Sequence, residues 1–373
     1  MENSPNTTPF ASGKENSSDS YDVDSENGII AYRYFFERQI ISAMFIVATV
    51  VGSLGNSFVL AAVAMSRKLR TTTNVFVVNL AFGDMLTCLF LPWQAVAILG
   101  SDGWPIPAAR WVCAMAGFVI VVTYGCSINN LALIAVNRWV GITKSCFTTR
   151  RIYTTRKLAL MVIFSWALPL CCGLTPVLTD FGKLGYEKLY STCTWDRSNP
   201  YSFYYNILVT AIYYPVQLII IVVCYTSIFC YVRKTSQKMA RIDAPSVSDK
   251  VSGGVSSRVM RKKLWKRQLD VTKNLLYIVL AFVLCLTPYF MAITVTADWT
   301  YRVTPWAGAF LFCNSCVNPI IYATSHPDFK EAFGYMIRCR KNPKGRSSQR
   351  NTCSTAASSR VNHGYAAENS QRL

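Results

Sequence analysis

The fold of this chain is decided by residues 111–137, WVCAMAGFVIVVTYGCSINNLALIAVN, which contain no charged side chain and end directly before Arg138. A helix needs about 20 largely apolar residues to cross the hydrocarbon core of a bilayer. Apolar and polar residues do not alternate along this stretch, as they do in the strands of a membrane barrel. The stretch therefore predicts one membrane-spanning helix.

Six further charge-free intervals of similar length lie on either side of it. They are residues 39–66, 71–101 (interrupted only by Asp84), 158–179, 198–232, 274–297 and 303–327. Only 15% of the chain is charged, whereas about a quarter of a soluble domain is. We therefore predict an all-α membrane protein, a seven-transmembrane helix bundle. Helix breaks, with kinks as their result, are expected at six prolines: Pro92, Pro169, Pro176, Pro215, Pro288 and Pro319.

The net charge of +19 is distributed unevenly about these intervals. If the N-terminus is extracellular, most of the 38 Lys and Arg residues fall on the cytoplasmic side and most of the 19 acids fall outside. This asymmetry is the one that orients membrane proteins. It disfavours a nucleic-acid partner, because the basic residues flank apolar spans and form no groove interleaved with aromatic residues. We expect a multi-pass plasma-membrane protein.

The segments outside the spans are polar. We divide the chain into an extracellular N-terminus (1–38), the seven-transmembrane domain (39–325), a short amphipathic juxtamembrane helix (326–338) and a disordered cytoplasmic tail (339–373). Asn6 and Asn16 stand in glycosylation sequons, and no cleavable signal precedes them, so the first span is expected to direct insertion. The inner loop 233–273 is predicted to be disordered in its middle, with ends that extend the flanking helices.

Cysteine usage points to one outer-face pair. Of the fourteen cysteines, only Cys113 and Cys193 fall on the oxidising side. They can form a disulfide there, and two free thiols remain the alternative.

Each span also carries a signature, and together these signatures resemble the rhodopsin-like (class A) G-protein-coupled receptors over residues 40–338. The signatures are Gly55-Asn56, Leu80-Ala81 with Asp84, Cys113 with Asn137-Arg138-Trp139, Trp166, Pro215, Cys285-Leu286-Thr287-Pro288, and Asn318-Pro319-Ile320-Ile321-Tyr322. Any one of them is weak evidence, but all seven stand in order. The resemblance implies an extracellular ligand, a heterotrimeric G protein and arrestin as partners, besides membrane lipid.

Asp84 falls near the middle of the bilayer, where a carboxylate is costly unless it is paired or hydrated. The resemblance implies a polar pocket that holds an allosteric sodium ion, with no other cofactor. Its members would be Asn56, Asp84, Ser127, Asn314, Ser315 and Asn318. The alternative is an Asp84 that is protonated or satisfied by hydrogen bonds alone.

Arg138, with Asn137 and Trp139, is implied to engage the G protein once the sixth span hinges outward near Pro288. The family's usual Asp before this Arg is Asn137 here, and its usual acid at the inner end of the sixth span is Gln268. Neither residue can form an ion pair with Arg138. We hypothesise that the resting state is held by hydrogen bonds alone and that basal activity is raised; full compensation by packing is the alternative.

Other activation positions are partly kept. Phe282, Pro288, Pro319 and Tyr322 match the family pattern. The sixth span has Leu286 in place of the usual Trp, and Trp139 replaces a Tyr. Tyr225 lies ten residues after Pro215 instead of eight, so one of the two is displaced.

The ligand site is predicted from the outer halves of the spans. Amine receptors place an Asp eighteen residues before Arg138, and this chain has Ile120 there. Around Ile120 the predicted lining is Tyr124, Tyr213, Tyr214 and Tyr289, with Tyr204, Tyr205 and Trp306 as further outer aromatics. Such a lining favours a neutral, lipid-like or peptide ligand. An interfacial aromatic belt is the alternative.

The Asn-Arg-Trp triplet and Trp104 in the first outer loop resemble the melatonin-receptor group and related invertebrate receptors, including those of germ-cell migration and glial barrier formation.

The juxtamembrane helix is predicted to be amphipathic, because Phe329, Phe333 and Met336 share one face of it. Cys339, just beyond it, is a candidate palmitoylation site.

An enzyme is disfavoured because both histidines, His326 and His363, are cytosolic. A transporter or channel is the alternative from another class, but repeated halves and paired broken helices are missing from the sequence. A protein with the receptor fold that couples to no G protein is a third hypothesis.

Overall fold

The structure, a computed structural model, describes residues 31–32, 34–100, 103–242, 254–295 and 297–337. Asn6, Asn16, Cys339, the middle of the inner loop, the tail and the side chain of Gln268 lie outside this description, so the expectations about them stay predictions. The helices are α1 (Phe35–Met65), α2 (Thr72–Leu99), α3 (Arg110–Thr143), α4 (Cys146–Ile152), α5 (Thr155–Leu178), α6 (Tyr201–Ile242), α7 (Gly254–Thr294), α8 (Asp298–Ser325) and α9 (Pro327–Ile337).

Seven of these helices correspond to the seven predicted spans. Within the described residues, six of them (α1, α2, α3, α5, α6 and α7) are long and apolar enough to cross a membrane by length and composition. The seventh, α8, is 28 residues long and packs on α1, α2 and α7, but its inward face is rich in polar residues. Its lower hydropathy follows from the polar core that it helps to build.

Burial is inverted relative to a soluble protein. Large apolar side chains such as Leu160 and Phe164 are exposed on the outside of the bundle, while Asn, Ser and Asp side chains are buried between helices. Helices in lipid associate through close packing of small residues. At Gly125 an added Cβ would lie 2.4 Å from the Cβ of Pro169, and at Gly55 it would lie 2.7 Å from that of Pro319. These two glycines therefore set how closely α3 approaches α5 and α1 approaches α8.

The prediction that the helices break at the six prolines is wrong. All six lie inside continuous helices, in α2, α5, α6, α7 and α8. Membrane helices tolerate proline because neighbouring groups satisfy the freed carbonyls.

The inner ends of α6 and α7 extend well beyond the predicted spans. They reach Ile242 and Gly254, so the expected extension of both helices into the loop is confirmed. At a rise of 1.5 Å per residue, the 42 residues of α6 measure about 63 Å, roughly twice the thickness of a hydrocarbon core.

A two-stranded sheet departs from the all-α prediction. Strands β1 (Leu184–Glu187) and β2 (Thr192–Trp195) pair antiparallel between α5 and α6, with Tyr186 opposite Cys193. Four-residue strands that follow a long apolar run leave little periodic signal in a sequence.

Helix α9 confirms the predicted amphipathic helix. Phe329 and Phe333 are buried and Met336 packs beside them, as the spacing indicated. On the polar side, the Nζ of Lys68 lies 2.8 Å from an oxygen of Asp328 and 2.7 Å from one of Glu331, which ties the loop after α1 to α9.

Candidate functional site

The outer end of α3 is joined to β2 by a disulfide between Cys113 and Cys193, which confirms the predicted pair. Gln94 of α2 forms a second connection. Its Nε2 donates to the carbonyl of Cys193 at 2.7 Å, and the backbone N–H of Cys193 donates to its Oε1 at 2.9 Å. The hairpin is thereby held over the outer ends of α2 and α3.

The turn of the hairpin is fixed from the other side by the start of α1. The buried Arg38 donates from Nη1 to the carbonyls of Ile98 and Gly100 and to the hydroxyl of Ser191, at 3.1–3.2 Å. Ser191 has a positive φ of 49°, an uncommon conformation for a residue with a side chain. The contacts to Arg38 help to hold that conformation in place.

Glu187 is the buried acid of the hairpin. Its carboxylate accepts from the N–H of Tyr190 at 2.8 Å and lies 3.7 Å from the Nε of Arg197. Burial raises the pKa of Glu187, and the Tyr190 N–H and Arg197 oppose that rise only in part. The carboxylate of Glu187 therefore interacts with residues of its own loop.

This raised pKa gives a pH prediction for Glu187→Gln. A carboxyl with a higher pKa in the folded state stabilises the fold most below the ordinary Glu pKa of about 4.3, and this contribution is lost as the pH rises through the raised value. In thermal melts between pH 4 and 8, the wild type should therefore lose stability relative to the variant as the pH rises. The exposed acid Asp180, changed to Asn, provides the control. Parallel profiles for wild type and Glu187→Gln would contradict the prediction.

Below the hairpin lies a cavity of about 170 Å³ that is lined by residues of α1, α2, α3, α5, α6, α7 and α8. All five predicted ligand residues line it, namely Ile120, Tyr124, Tyr213, Tyr214 and Tyr289. Among the described residues that line the cavity, none is Asp, Glu, Lys, Arg or His. Its chemistry is that of aromatic rings, aliphatic side chains, hydroxyls and amides.

Three of the four tyrosine hydroxyls are engaged between helices. Tyr124 donates to the carbonyl of Leu311 at 2.9 Å, and Tyr213 donates to that of Gly125 at 3.2 Å. The hydroxyl of Tyr214 lies 2.7 Å from that of Thr287. These rings therefore offer the cavity mainly apolar surface.

The other predicted aromatics lie elsewhere. Tyr204 is exposed on the outside of the bundle, as the belt alternative requires. Tyr205 donates to the carbonyl of Cys172 and packs edge-on against Trp195. Sequence reasoning missed the lining from the hairpin, Tyr190 and Thr192 to Trp195, and also Phe312 of α8. The disulfide could have indicated the hairpin residues, because it ties their strand to the top of α3.

The middle of the bundle contains the predicted polar pocket around Asp84, which is fully buried. Its Oδ1 accepts from the hydroxyls of Ser127 at 3.4 Å and Ser315 at 3.2 Å, and its Oδ2 accepts from the Nδ2 of Asn318 at 2.7 Å. Asn56 donates to the carbonyl of Ser315 at 2.9 Å. Residues from α3 and α8 thus meet at the carboxylate of α2, and Asn56 of α1 bonds to the backbone of one of them.

The pocket has the donor set that a hard cation requires. Besides the carboxylate and two hydroxyls, the amide oxygens of Asn56, Asn314 and Asn318 are buried without a hydrogen-bond partner in the described part of the chain. Hard cations, such as alkali and alkaline-earth metal ions, prefer such oxygen ligands. No group of three or more His, Cys, Asp or Glu side chains that could hold a metal ion occurs among the described residues.

Arg138 lies at the inner end of α3 without an acidic partner in the described residues. Its Nη2 donates to the Oδ1 of Asn137 at 3.4 Å, and its buried Nε has no partner there. The same Oδ1 accepts from the hydroxyl of Thr73 at 2.6 Å. Trp139 points toward Lys144, whose Nζ lies 5.1 Å from the ring.

The remaining activation positions lie between this region and the pocket. Phe282 and Leu286 are buried one turn apart on α7, and Pro288 is exposed. Tyr322 is buried and stacks on Phe329, 5.1 Å between ring centroids. The hydroxyls of Tyr225 and Tyr322 are buried without a partner among the described residues. The displaced spacing of Tyr225 thus does not remove its side chain from the interior.

Comparison with known proteins identifies relatives over most of this architecture. A family model described as "7 transmembrane receptor (rhodopsin family)" matches residues 55–322. Melanopsin-A of Danio rerio is 29% identical over 80% of this chain and 50% of its own length. Melatonin receptor type 1B-B of Danio rerio is 29% identical over 79% of this chain and 80% of its own. The alpha-1D adrenergic receptor of Mus musculus is 29% identical over 80% of this chain and 56% of its own length.

The chain thus spans about half the length of the melanopsin and adrenergic relatives, and the equal identities do not single out one subgroup. Squid rhodopsin has the same fold, with a TM-score of 0.65 at 21% identity, over 83% of this chain and 89% of that one. The predicted seven-helix fold is therefore confirmed. The family match covers the first helix to the last span, and the chain belongs to the rhodopsin family of seven-transmembrane receptors.

Proposed function

We propose that the protein is a G-protein-coupled receptor whose cavity binds a neutral extracellular ligand. The proposal of a neutral ligand is supported by the cavity lining, which contains no charged residue among the described residues. An ammonium group transferred from water into such a site would lack a counter-ion, which is costly. The nearest acid of the outer loop, Glu187, is already bonded to Tyr190 and lies close to Arg197.

The lining also argues against a covalently held ligand of the Schiff-base type, because no Lys is among the described lining residues. The favoured ligand is small and aromatic or lipid-like, with one or two hydrogen-bonding groups. Asn206, Thr210 and Tyr289 are the candidates to meet those groups. Melatonin, which the name of one relative mentions, is a neutral aromatic amide and belongs in a first screen.

The proposed signalling face is the inner end of α3 around Arg138, with the N-terminus extracellular and the protein in the plasma membrane. Ligand binding would favour a state in which α7 hinges near Pro288 and admits a heterotrimeric G protein, with arrestin as a later partner. The charge distribution of the sequence supports this orientation. An N-terminal epitope that antibodies reach on intact cells would test it.

The deciding experiment is a screen of neutral aromatic and lipid-like compounds, read out by recruitment of each G-protein class to the full chain. A hit should lose recruitment with Arg138→Ala and keep binding, because Arg138 lies ten residues, about 15 Å along α3, beyond Ile128 of the cavity lining. Ligand binding with no recruitment of any class would favour a non-signalling receptor. Ligand-independent flux in vesicles would favour a transporter.

The polar pocket is proposed to hold a sodium ion through Asp84, with Ser127 and Ser315 as neighbouring oxygen ligands. A bound ion stabilises the folded state by mass action, about 2.7 kcal/mol when it is in hundredfold excess over its Kd. Sodium chloride should therefore raise the melting temperature of the wild type more than choline chloride at equal ionic strength. Asp84→Asn should abolish this difference, and an equal response to both salts in the wild type would contradict the proposal.

A further inference from the structure

A cluster of cations lies where the inner ends of α3 and α5 are connected through α4. It consists of Lys144, Arg150, Arg151, Arg156 and Lys157. All five side chains are exposed, and within the described residues none of them forms an ion pair. The sequence contains no Asp or Glu from 103 to 179. The charge of this loop is therefore not neutralised locally.

One hydrogen bond holds the two halves of the cluster together. The Nζ of Lys157, in the first turn of α5, donates to the backbone carbonyl of Arg151 at the end of α4, at 3.1 Å. An ammonium has three N–H groups, so two remain for another acceptor. Arg150 and Arg151 are adjacent in the last turn of α4, and the bond places them beside Arg156 and Lys157.

An apolar stripe continues directly from these cations along α5. Leu160, Ile163 and Phe164 are 64%, 61% and 60% exposed. With 3.6 residues per turn, they lie on the same face of the helix as Arg156 and Lys157. Arg156 and Phe164 are about 12 Å apart along the axis. In a bilayer that α5 crosses, the stripe would face the hydrocarbon region and the cations would lie at the level of the headgroups.

We propose that Arg150, Arg151, Arg156 and Lys157, the basic patch, bind the phosphate headgroup of an anionic phospholipid. Its acyl chain would lie along Leu160, Ile163 and Phe164. Guanidinium groups bind phosphate oxygens in bidentate fashion, and clustered Lys and Arg beside a membrane helix attract anionic lipids. A soluble phosphate or an acidic protein segment would use the cations alone and would make no contact with the stripe.

If the N-terminus is extracellular, as proposed above, the basic patch lies in the cytoplasmic leaflet. Only this assignment rests on the proposed function. The test of the lipid proposal needs no orientation, ligand or G protein, so it can fail independently of the receptor function. The full chain is placed in nanodiscs with equal leaflets, made of phosphatidylcholine with a small fraction of a polyphosphoinositide. Retained lipid is counted by native mass spectrometry after mild delipidation.

The test variant neutralises the basic patch with Arg150→Gln, Arg151→Gln, Arg156→Gln and Lys157→Gln. The matched control neutralises four exposed cations at other inner positions, with Arg67→Gln, Arg233→Gln, Lys234→Gln and Lys238→Gln. The patch variant should retain the phosphoinositide at least about tenfold less, whereas the control should stay close to wild type. The single variant Lys157→Gln, with its melting temperature measured, should show a smaller loss in a folded protein.

A second arm distinguishes a lipid from a soluble anion. Leu160→Ala with Phe164→Ala should weaken retention of the lipid and leave binding of water-soluble inositol trisphosphate unchanged. Equal losses in the patch and control variants would overturn the proposal in favour of diffuse charge attraction. Competition by inositol trisphosphate as strong as that of the lipid, with no effect of the alanine pair, would overturn it in favour of a soluble anion.

Discussion

Cys113→Ser should cause the largest loss of stability of any single substitution on the outer face. The cysteines are 80 residues apart, and a cross-link that closes a loop of that length destabilises the unfolded state by about 4.5 kcal/mol through lost chain entropy. It also fastens β2, which lines the cavity, to α3. We expect a strongly lowered melting temperature, reduced surface expression and loss of the response to a ligand found in the screen.

Two controls separate the bond from other effects of removing a cysteine. Cys171→Ser removes an exposed free cysteine of α5 and should leave the melting temperature unchanged. Cys113→Ser combined with Cys193→Ser should be no worse than either alone, because the bond is already lost. Gln94→Leu should cost less, since it removes two hydrogen bonds worth about 1 kcal/mol each. A Cys113→Ser protein with the same melting temperature as the wild type would contradict the prediction that the disulfide stabilises the fold.

The fold was predictable largely because lipid requires long apolar helices, and such runs are visible in any single sequence. The charged residues that end an apolar run do not end its helix, so α6 and α7 extend well past residues 232 and 274. The β-hairpin was missed since its two strands have four residues each, and their pairing depends on the disulfide and Gln94, which are distant in sequence.

Contacts within one span were predictable from residue spacing, whereas the polar pocket, which joins several helices, was predicted only through the family resemblance. Ile120 and Tyr124 share a helix face one turn apart, so their common cavity followed from spacing, whereas Tyr190 enters it only because the hairpin folds back. The pairing of Asn137 was missed for a similar reason. Its partner Thr73 stands on another helix, and a Thr at the start of a span carries no signal of its own.

This pairing bears on Asn137→Asp, which should lower ligand-free signalling by about tenfold. At present the Oδ1 of Asn137 accepts from the hydroxyl of Thr73 at 2.6 Å and, at a longer 3.4 Å, from Arg138. A carboxylate would add a second oxygen for the buried Nε of Arg138, which lacks a partner in the described residues. Hydrogen bonds to charged groups contribute about 1.5–3 kcal/mol, and a tenfold population shift needs about 1.4 kcal/mol.

The measurement is basal turnover of the G protein at equal surface expression, in the absence of ligand. Thr73→Val is the informative companion, because it removes the hydroxyl that holds Asn137 and leaves Arg138 unchanged. If hydrogen bonds alone restrain Arg138, Thr73→Val should raise basal signalling and Asn137→Asp should lower it. An unchanged baseline in both variants would mean that packing around α3 compensates for the missing ion pair, and the restraint would then have to be sought in the buried contacts of Arg138 with its apolar neighbours.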